Sequence, residues 1–404
     1  MKKKILYISQ VFPYPTDGGG KIKTYNSLRV LAKKFDVYAV FVSEKKPSTT
    51  EINHLRKLGI QKVKVFFTTA ILDSVKDDLW NLTKNFLQLR PHYVFQYQHA
   101  EAHTFIDQAV DDFSPDIIHI DHVNMAQYLP KEKRQIWILE SHNLEFYLLW
   151  TRSVHSKKLS RKLYLLIEAT LTYLFELRTN GLFDYVFAIS EAEKHRMQYF
   201  FPIKKVLTQP LYYKLEKKVA KKNASETLLF IGNLRWPPNE HAIEWFITDI
   251  FPRIKKVNKQ VRLEVVGHRY DVMEKRLSQK NLEGVLFVGY QKSLTPYLQK
   301  ASVFILPFKM GGGIRLKSLT ALAHHIPIVS TSLGVEGLKV KNGQEYLRAN
   351  SAEAFAKKCL QLLTNKKMQN MMSGSQETYM RKYHSNDENR KYLQQYQRII
   401  QESQ

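Results

Sequence analysis

Pro307-Phe308-Lys309-Met310-Gly311-Gly312-Gly313-Ile314-Arg315-Leu316-Lys317 is the stretch on which the fold assignment turns. The apolar run Ser302-Val303-Phe304-Ile305-Leu306 leads into it and reads as a buried strand, whereas Leu316, Leu319 and Ala323 leave it at helical spacing. Three glycines therefore sit where a strand becomes a helix, with Arg315 and Lys317 in the first helical turn. Bare backbone N–H groups at a helix start attract anions, and two cations strengthen the attraction. The plainer alternative is a tight turn with solvated charges, but three consecutive glycines cost chain entropy that a turn alone does not require.

Working outward, the same arrangement recurs near the N-terminus. Lys3 to Ser9 reads as a first strand, Pro13-Tyr14-Pro15-Thr16-Asp17-Gly18-Gly19-Gly20 as a loop, and Lys21 to Lys34 as a helix with Ile22, Leu28 and Leu31 apolar. Neither glycine run is the G-x-G-x-x-G dinucleotide pattern, and no Walker Lys-Ser/Thr follows them. Two strand–glycine–helix units in separate halves predict an α/β chain of two Rossmann-like domains facing each other across a cleft.

The elements between the two runs fit this. Strands are expected at Val37 to Val42, Lys62 to Phe67, Asp116 to Ile120, Gln135 to Leu139 and Tyr185 to Ile189. Helices are expected at Thr50 to Leu58, as one long segment from Leu144 to Thr179, and at Glu191 to Tyr199. Such alternation implies a parallel sheet covered on both faces. Residues 1–208 form the first domain of this reading. Residues 209–224 form a linker around the charged, aperiodic Lys214 to Asn223. The second domain, 225–384, restarts at Thr227-Leu228-Leu229-Phe230-Ile231-Gly232, with strands at Arg262 to Val266, Val285 to Val288, Val303 to Leu306 and Pro327 to Ser330. A helix is expected to start near Asn239, a plausible N-cap.

Composition narrows the class. With 404 residues the chain has room for two cores, and 44% hydrophobic residues fit a globular protein. The single cysteine, Cys359, excludes an internal disulfide and fits a reducing compartment. The apolar run after Met1-Lys2-Lys3-Lys4 ends at Ser9-Gln10, too short for a secretory signal, and no stretch has the length and apolarity of a membrane span. The 62 basic and 37 acidic residues give a net charge of +25. Anionic lipid, phosphorylated substrates or nucleic acid could use that charge; nucleic acid is the weakest, since no known nucleic-acid motif is present.

These motifs together resemble family 4 glycosyltransferases of the GT-B fold, retaining enzymes with a Gly-Gly-Gly-x-Arg-Leu-Lys subgroup. The resemblance is carried by Gly232-Asn233-Leu234-Arg235-Trp236-Pro237-Pro238-Asn239, Gly311 to Lys317, Pro327 to Thr331 and Gly334 to Leu338. In the first half Pro13 to Gly20, Ile118 to His122, Glu140 to Glu145 and Ile189 to Glu193 add to it. It implies a C-terminal donor domain for a nucleotide-diphospho-sugar co-substrate, no metal and no other cofactor, and an N-terminal half facing a glycan or lipid-linked acceptor in cell-surface polysaccharide synthesis. It also implies that a last helix, about 385–404, packs back on the first domain. The expected location is cytoplasmic, at an anionic inner membrane face, with no nucleic-acid partner.

Carried over by position, the donor-binding candidates are Gly19, Gly20, Asn233, Arg235, Gly311, Gly312, Gly313, Arg315, Lys317 and Thr320. The family's two glutamates, with seven residues between them, fall here on Gly312 and Thr320, and Asn233 stands where many members have arginine. A neutral Thr320 bonds a ribose hydroxyl more weakly than a carboxylate by about 1 kcal/mol. These departures also fit a catalytically impaired GT-B-fold subunit acting as a binding or regulatory partner. Catalytic candidates are Asp121, His122 and His142. Strand alternation puts His119 and Asp121 on one face and His122 on the other, with His119 a core residue.

Overall fold

The structure is a computed structural model, and it describes residues 2–16, 18–68, 90–156, 158–203, 205–209, 226–268, 270–277, 282–383 and 387–403. The chain divides into two compact units, Met1–Tyr212 with Asn386–Gln404, and Tyr213–Ser385. The expected linker around Lys214 to Asn223 lies outside the described residues.

The first unit is built on seven parallel strands: β1 (Lys4–Ser9), β2 (Asp36–Ser43), β3 (Lys62–Phe67), β4 (Ile117–Asp121), β5 (Ile136–Glu140), β6 (Tyr185–Ala188) and β7 (Val206–Thr208). Their order is β3-β2-β1-β4-β5-β6-β7, so the winding direction reverses between β1 and β4. Strand β1 shows why the sheet is two-faced. Ile5 and Tyr7 join one buried cluster with Ile117, Ile138 and Phe187, while Leu6 and Ile8 join another with Ile118, Ile120 and Leu139. Period-2 alternation in the apolar stretch Ile5–Ile8 gives two cores, which is how a parallel sheet buries both faces. Helix 387–402 completes the first face, where Tyr392, Tyr396 and Ile399 are buried.

Two sequence expectations change here. The single segment Leu144 to Thr179 is two helices, Glu145–Val154 and Leu159–Asn180. The break falls at His155-Ser156-Lys157-Lys158, a weak helix former beside adjacent like charges. The buried Glu176 carboxylate then accepts the Glu145 N–H at 2.9 Å and the Phe146 N–H at 3.4 Å, satisfying the start of the first helix from the second. The first glycine run is also shorter as a loop than expected: Gly18 is the N-cap, and Gly19 and Gly20 already belong to helix Gly19–Leu31.

The second unit has six parallel strands: β8 (Thr227–Ile231), β9 (Arg262–Val266), β10 (Val285–Gly289), β11 (Val303–Leu306), β12 (Ile328–Ser330) and β13 (Leu347–Arg348). Their order is β10-β9-β8-β11-β12-β13, with the reversal between β8 and β11. The helix expected to start at Asn239 starts two residues earlier, at Pro237, because the ring of a proline fits the first helical position where no N–H is needed. Asn239 thereby moves from a cap to an interior position of the first turn, with its side chain free for other work.

Candidate functional site

In a doubly wound sheet, ligands gather outside the carboxyl ends of the strands where the winding reverses. Both glycine runs follow a strand that borders such a point, β1 in the first unit and β11 in the second.

In the second unit, Gly311 and Gly313 have φ of 102° and 72°, in the left-handed region that only glycine enters without strain. Their turn folds the chain so that Arg315 and Lys317 point back over it. Arg315 donates to the carbonyls of Gly313 and Met310, each at 3.4 Å, and of Leu333 at 2.5 Å, and its guanidinium lies 4.7 Å from the Phe308 ring centre. Lys317 Nζ donates to Asn239 Oδ1 at 2.5 Å, while Asn239 Nδ2 donates to Asn233 O at 2.7 Å. The loop after β8 approaches so closely that a Cβ on Gly232 would lie 2.9 Å from Lys317 Nζ. Two like charges are thus held together on carbonyl and amide oxygens, with the Glu336 carboxylate acting on Arg315. Burial, and then repulsion by Arg315, pulls the Lys317 ammonium down to about 7; burial, partly offset by Glu336, pulls Arg315 down to about 10. A cation pair held this way gains most from an arriving anion.

Not every donor-side candidate joins them. Arg235 is exposed, and its N–H donates to Asn233 Oδ1 at 3.0 Å, so Asn233 shapes the loop after β8. The Thr320 hydroxyl donates to Leu316 O at 3.1 Å along its own helix. Asn239 was not among the candidates, because nothing local in the sequence joins it to Lys317, 78 positions away.

In the first unit, Ser9 and Asp121 are paired neighbours at the ends of β1 and β4. Asp121 Oδ2 accepts from Ser9 Oγ and Thr24 Oγ1, both at 2.7 Å. Asp121 Oδ1 faces His142 Nε2 at 2.6 Å and His122 Nδ1 at 3.3 Å. His122 does not take the opposite face that strand alternation predicts. The strand ends at Asp121, and a φ of 78° turns His122 back so that its ring stacks on His142 at 3.7 Å. Asp121, His122 and His142 are therefore gathered together, with one ligand atom from each within 4.8 Å of the others, a spacing at which three such groups could share a metal ion.

Beneath this lies a second buried acid. Glu140, at the end of β5, faces Lys23 Nζ at 3.3 Å and His119 Nε2 at 3.1 Å, and accepts from Ser27 and Tyr392 at 3.2 Å. His119 is a core residue: its ring stacks on Tyr7 at 4.4 Å and its Nδ1 meets the Tyr396 hydroxyl at 2.5 Å. Burial alone would raise both acids. The neighbouring histidines hold Asp121 well below the usual range, and Lys23, with His119, holds Glu140 at about 2. Burial, reinforced by His122 and Lys23, lowers His142 to about 4. At neutral pH Asp121 is then ionised and His142 neutral, with Nε2–H given to the carboxylate. Gly20 stands one turn before Lys23 and Thr24, and a Cβ on it would meet nothing within 4 Å, so the helix start is open.

Ser9, Lys23, Thr24 and Glu140 were missed from the sequence. The available clue was spacing: Lys23 and Thr24 fall three and four residues after Gly20, on the helix face next to the loop.

Residues 225–365 match the family model described as "Glycosyl transferases group 1". The chain is 22% identical over 363 residues to an uncharacterized 44.6 kDa protein in the cps region of Klebsiella pneumoniae, covering 88% of this chain and 89% of that one. Among solved structures, it resembles sucrose-phosphate synthase from Thermosynechococcus elongatus, with a TM-score of 0.70, 16% identity and 99% of each chain covered. It also resembles a variant of S. aureus TarM in complex with Fondaparinux, alpha-GlcNAc-glycerol and UDP, with a TM-score of 0.64, 13% identity, and 98% of this chain and 99% of that chain covered. With two parallel-sheet α/β units matched over nearly the whole chain, the fold is GT-B.

Proposed function

We propose that the protein is a retaining glycosyltransferase that moves a sugar from a nucleotide-diphospho-sugar to a glycan or lipid-linked acceptor in cell-surface polysaccharide synthesis. The observation that carries this reading is the Arg315–Lys317 pair, hydrogen-bonded to carbonyl and amide oxygens at the switch point of the second unit. The family match over 225–365, the UDP complex of a structural neighbour and the relative in a cps region support it.

In the reaction, the bond between the anomeric carbon and the diphosphate oxygen breaks, and the acceptor oxygen bonds to that carbon as its proton passes to the departing diphosphate. The leaving nucleotide diphosphate carries the electron pair away, so negative charge grows on it in the transition state. Arg315, Lys317 and the N–H groups of Gly311 to Gly313 are the groups suited to receive it, and their polarity is fixed before the substrate arrives. In the first unit the ionised Asp121 fixes the tautomer of His142, and the open backbone at Gly20 leaves room for ligand. Protein cations supply the charge compensation in this reading, so no metal is required; Asp121, His122 and His142 serve the sugar or the acceptor.

The test is a donor screen with UDP-, GDP- and ADP-sugars, scored for nucleotide diphosphate release and for sugar transfer to lipid-linked acceptors. Arg315→Ala should lower turnover about 100-fold or more, the usual effect of removing one preorganised charge-stabilising donor. Activity should survive a chelator. If no donor yields transfer, the reading is wrong; if the chelator abolishes transfer, the metal-free assignment fails.

A further inference from the structure

The hairpin of helices Glu145–Val154 and Leu159–Asn180 has a surface that the proposed chemistry does not use. At its tip, Trp150 is 46% exposed, Val154 55%, Leu159 82% and Leu163 59%. The members of each pair, Trp150 with Val154 and Leu159 with Leu163, are four residues apart on one helix, so each pair forms a stripe. The two helices pack on each other and are joined by only four residues, which brings the stripes to one end of the hairpin. A run of ring contacts extends the patch. Trp150 lies 5.7 Å from Tyr147, Tyr147 lies 6.4 Å from Phe200, and Phe200 lies 5.0 Å from Tyr199, which is 83% exposed. Single exposed apolar residues are ordinary, but large aliphatic and aromatic groups collected at one tip are not.

Along the hairpin itself the charge has one sign. From Phe146 to Ile167 the sequence carries Arg152, Lys157, Lys158, Arg161 and Lys162 and no aspartate or glutamate. Lys158, Arg161 and Lys162 are exposed beside Leu159 and Leu163. No helix among the described residues is long and apolar enough to cross a membrane.

We propose that this hairpin tip is a docking surface for an anionic lipid bilayer, with Trp150, Val154, Leu159 and Leu163 entering the headgroup–acyl boundary and the lysines and arginines resting on lipid phosphates. Charge complementarity decides the occupant. A protein partner's buried interface centre is depleted in lysine, whereas leucine and tryptophan ringed by lysine and arginine is the composition that holds a helix at an anionic membrane surface. The inference stands apart from the transferase reading, because it is tested by partition and not by turnover.

The experiment is cosedimentation of the full chain with phosphatidylcholine vesicles, with and without phosphatidylglycerol, while tryptophan emission is followed. The expected result is binding only to the anionic vesicles, weakened by salt, with a blue shift that disappears in Trp150→Phe. Leu159→Glu with Leu163→Glu should lower the partition constant about 100-fold, and Lys158→Glu with Lys162→Glu about 30-fold or more. Both pairs are exposed, so the thermal unfolding midpoint should stay put; a third, milder pair, Leu159→Ser with Leu163→Ser, replaces the first if it does not. Binding that the leucine variants retain overturns the proposal, and so does failure to bind anionic vesicles. A concentration-dependent dimer that the same substitutions abolish would identify a second copy of the chain as the occupant and equally overturn it.

Discussion

Raising the pH from 7 to 9 should weaken binding of a nucleotide diphosphate, and the structure gives the size of the effect. In the free protein, burial and Arg315 bring Lys317 to about 7. A diphosphate beside Nζ removes the repulsion and favours the charged form, moving the lysine toward its ordinary 10.5. The anion therefore binds the protonated lysine preferentially. Affinity is full below about 7, falls as pH rises through the free value, and levels off only above the bound one. If the bound lysine recovers its ordinary value, the loss by pH 9 is about 100-fold relative to low pH, or ~2.7 kcal/mol at 1.36 kcal/mol per unit. Lys317 keeps some solvent contact, so screening makes that an upper bound and about tenfold a lower one. The diphosphate does not mask the slope, because a terminal phosphate loses its last proton near pH 6. Titration calorimetry with UDP, GDP and ADP at four values between pH 6.5 and 9.5 measures it, alongside Lys317→Met, which should bind more weakly and without the slope. A flat profile in the wild-type chain, or an unchanged slope in the methionine variant, would refute the argument for Lys317 while leaving binding itself intact.

Three further outcomes follow from particular atoms. Gly20→Ala should leave the unfolding midpoint unchanged or slightly higher, since alanine is the better helix former by about 1 kcal/mol and its Cβ meets nothing, yet transfer should fall because ligand loses the open backbone; unchanged kcat and KM would show that no ligand approaches there. Gly267→Ala should cost more than about 3 kcal/mol in thermal unfolding, because φ is 154° and the new Cβ would sit 1.8 Å from Gly232 O. Tyr396→Phe removes the hydroxyl that meets His119 Nδ1 in the buried core and should cost about 1–3 kcal/mol in denaturant unfolding; no change would mean that the C-terminal helix is not seated on the first unit.

Much of the fold was legible because its determinants are local. The apolar run Val303 to Leu306 became a strand with those bounds, since an unbroken apolar run is what a doubly covered parallel strand needs, while the alternating Lys62 to Phe67 became the edge strand β3. Boundaries shifted where a local rule met another. Pro237 took the start of a helix assigned to Asn239, His155 to Lys158 broke a segment whose apolar pattern runs on, and Gly19 and Gly20 entered a helix that glycine disfavours.

The site divides along the same line. The sequence by itself determined the glycine turn and the two cations beyond it, because strand, positive-φ turn and helix start lie within about fifteen consecutive residues. Asp121, His122 and His142 could be named singly from it, but not their shared contact. The convergence of Ser9, Thr24, Asp121 and His142 depends on β1 lying between β2 and β4, and that of Asn239 with Lys317 on β8 lying beside β11. Strand order is settled by how whole faces bury against their covering helices, a sum over distant residues that no local spacing encodes. The turn of His122 onto His142, and the reach of Tyr396 to His119 from 277 positions away, exist only once that packing is complete.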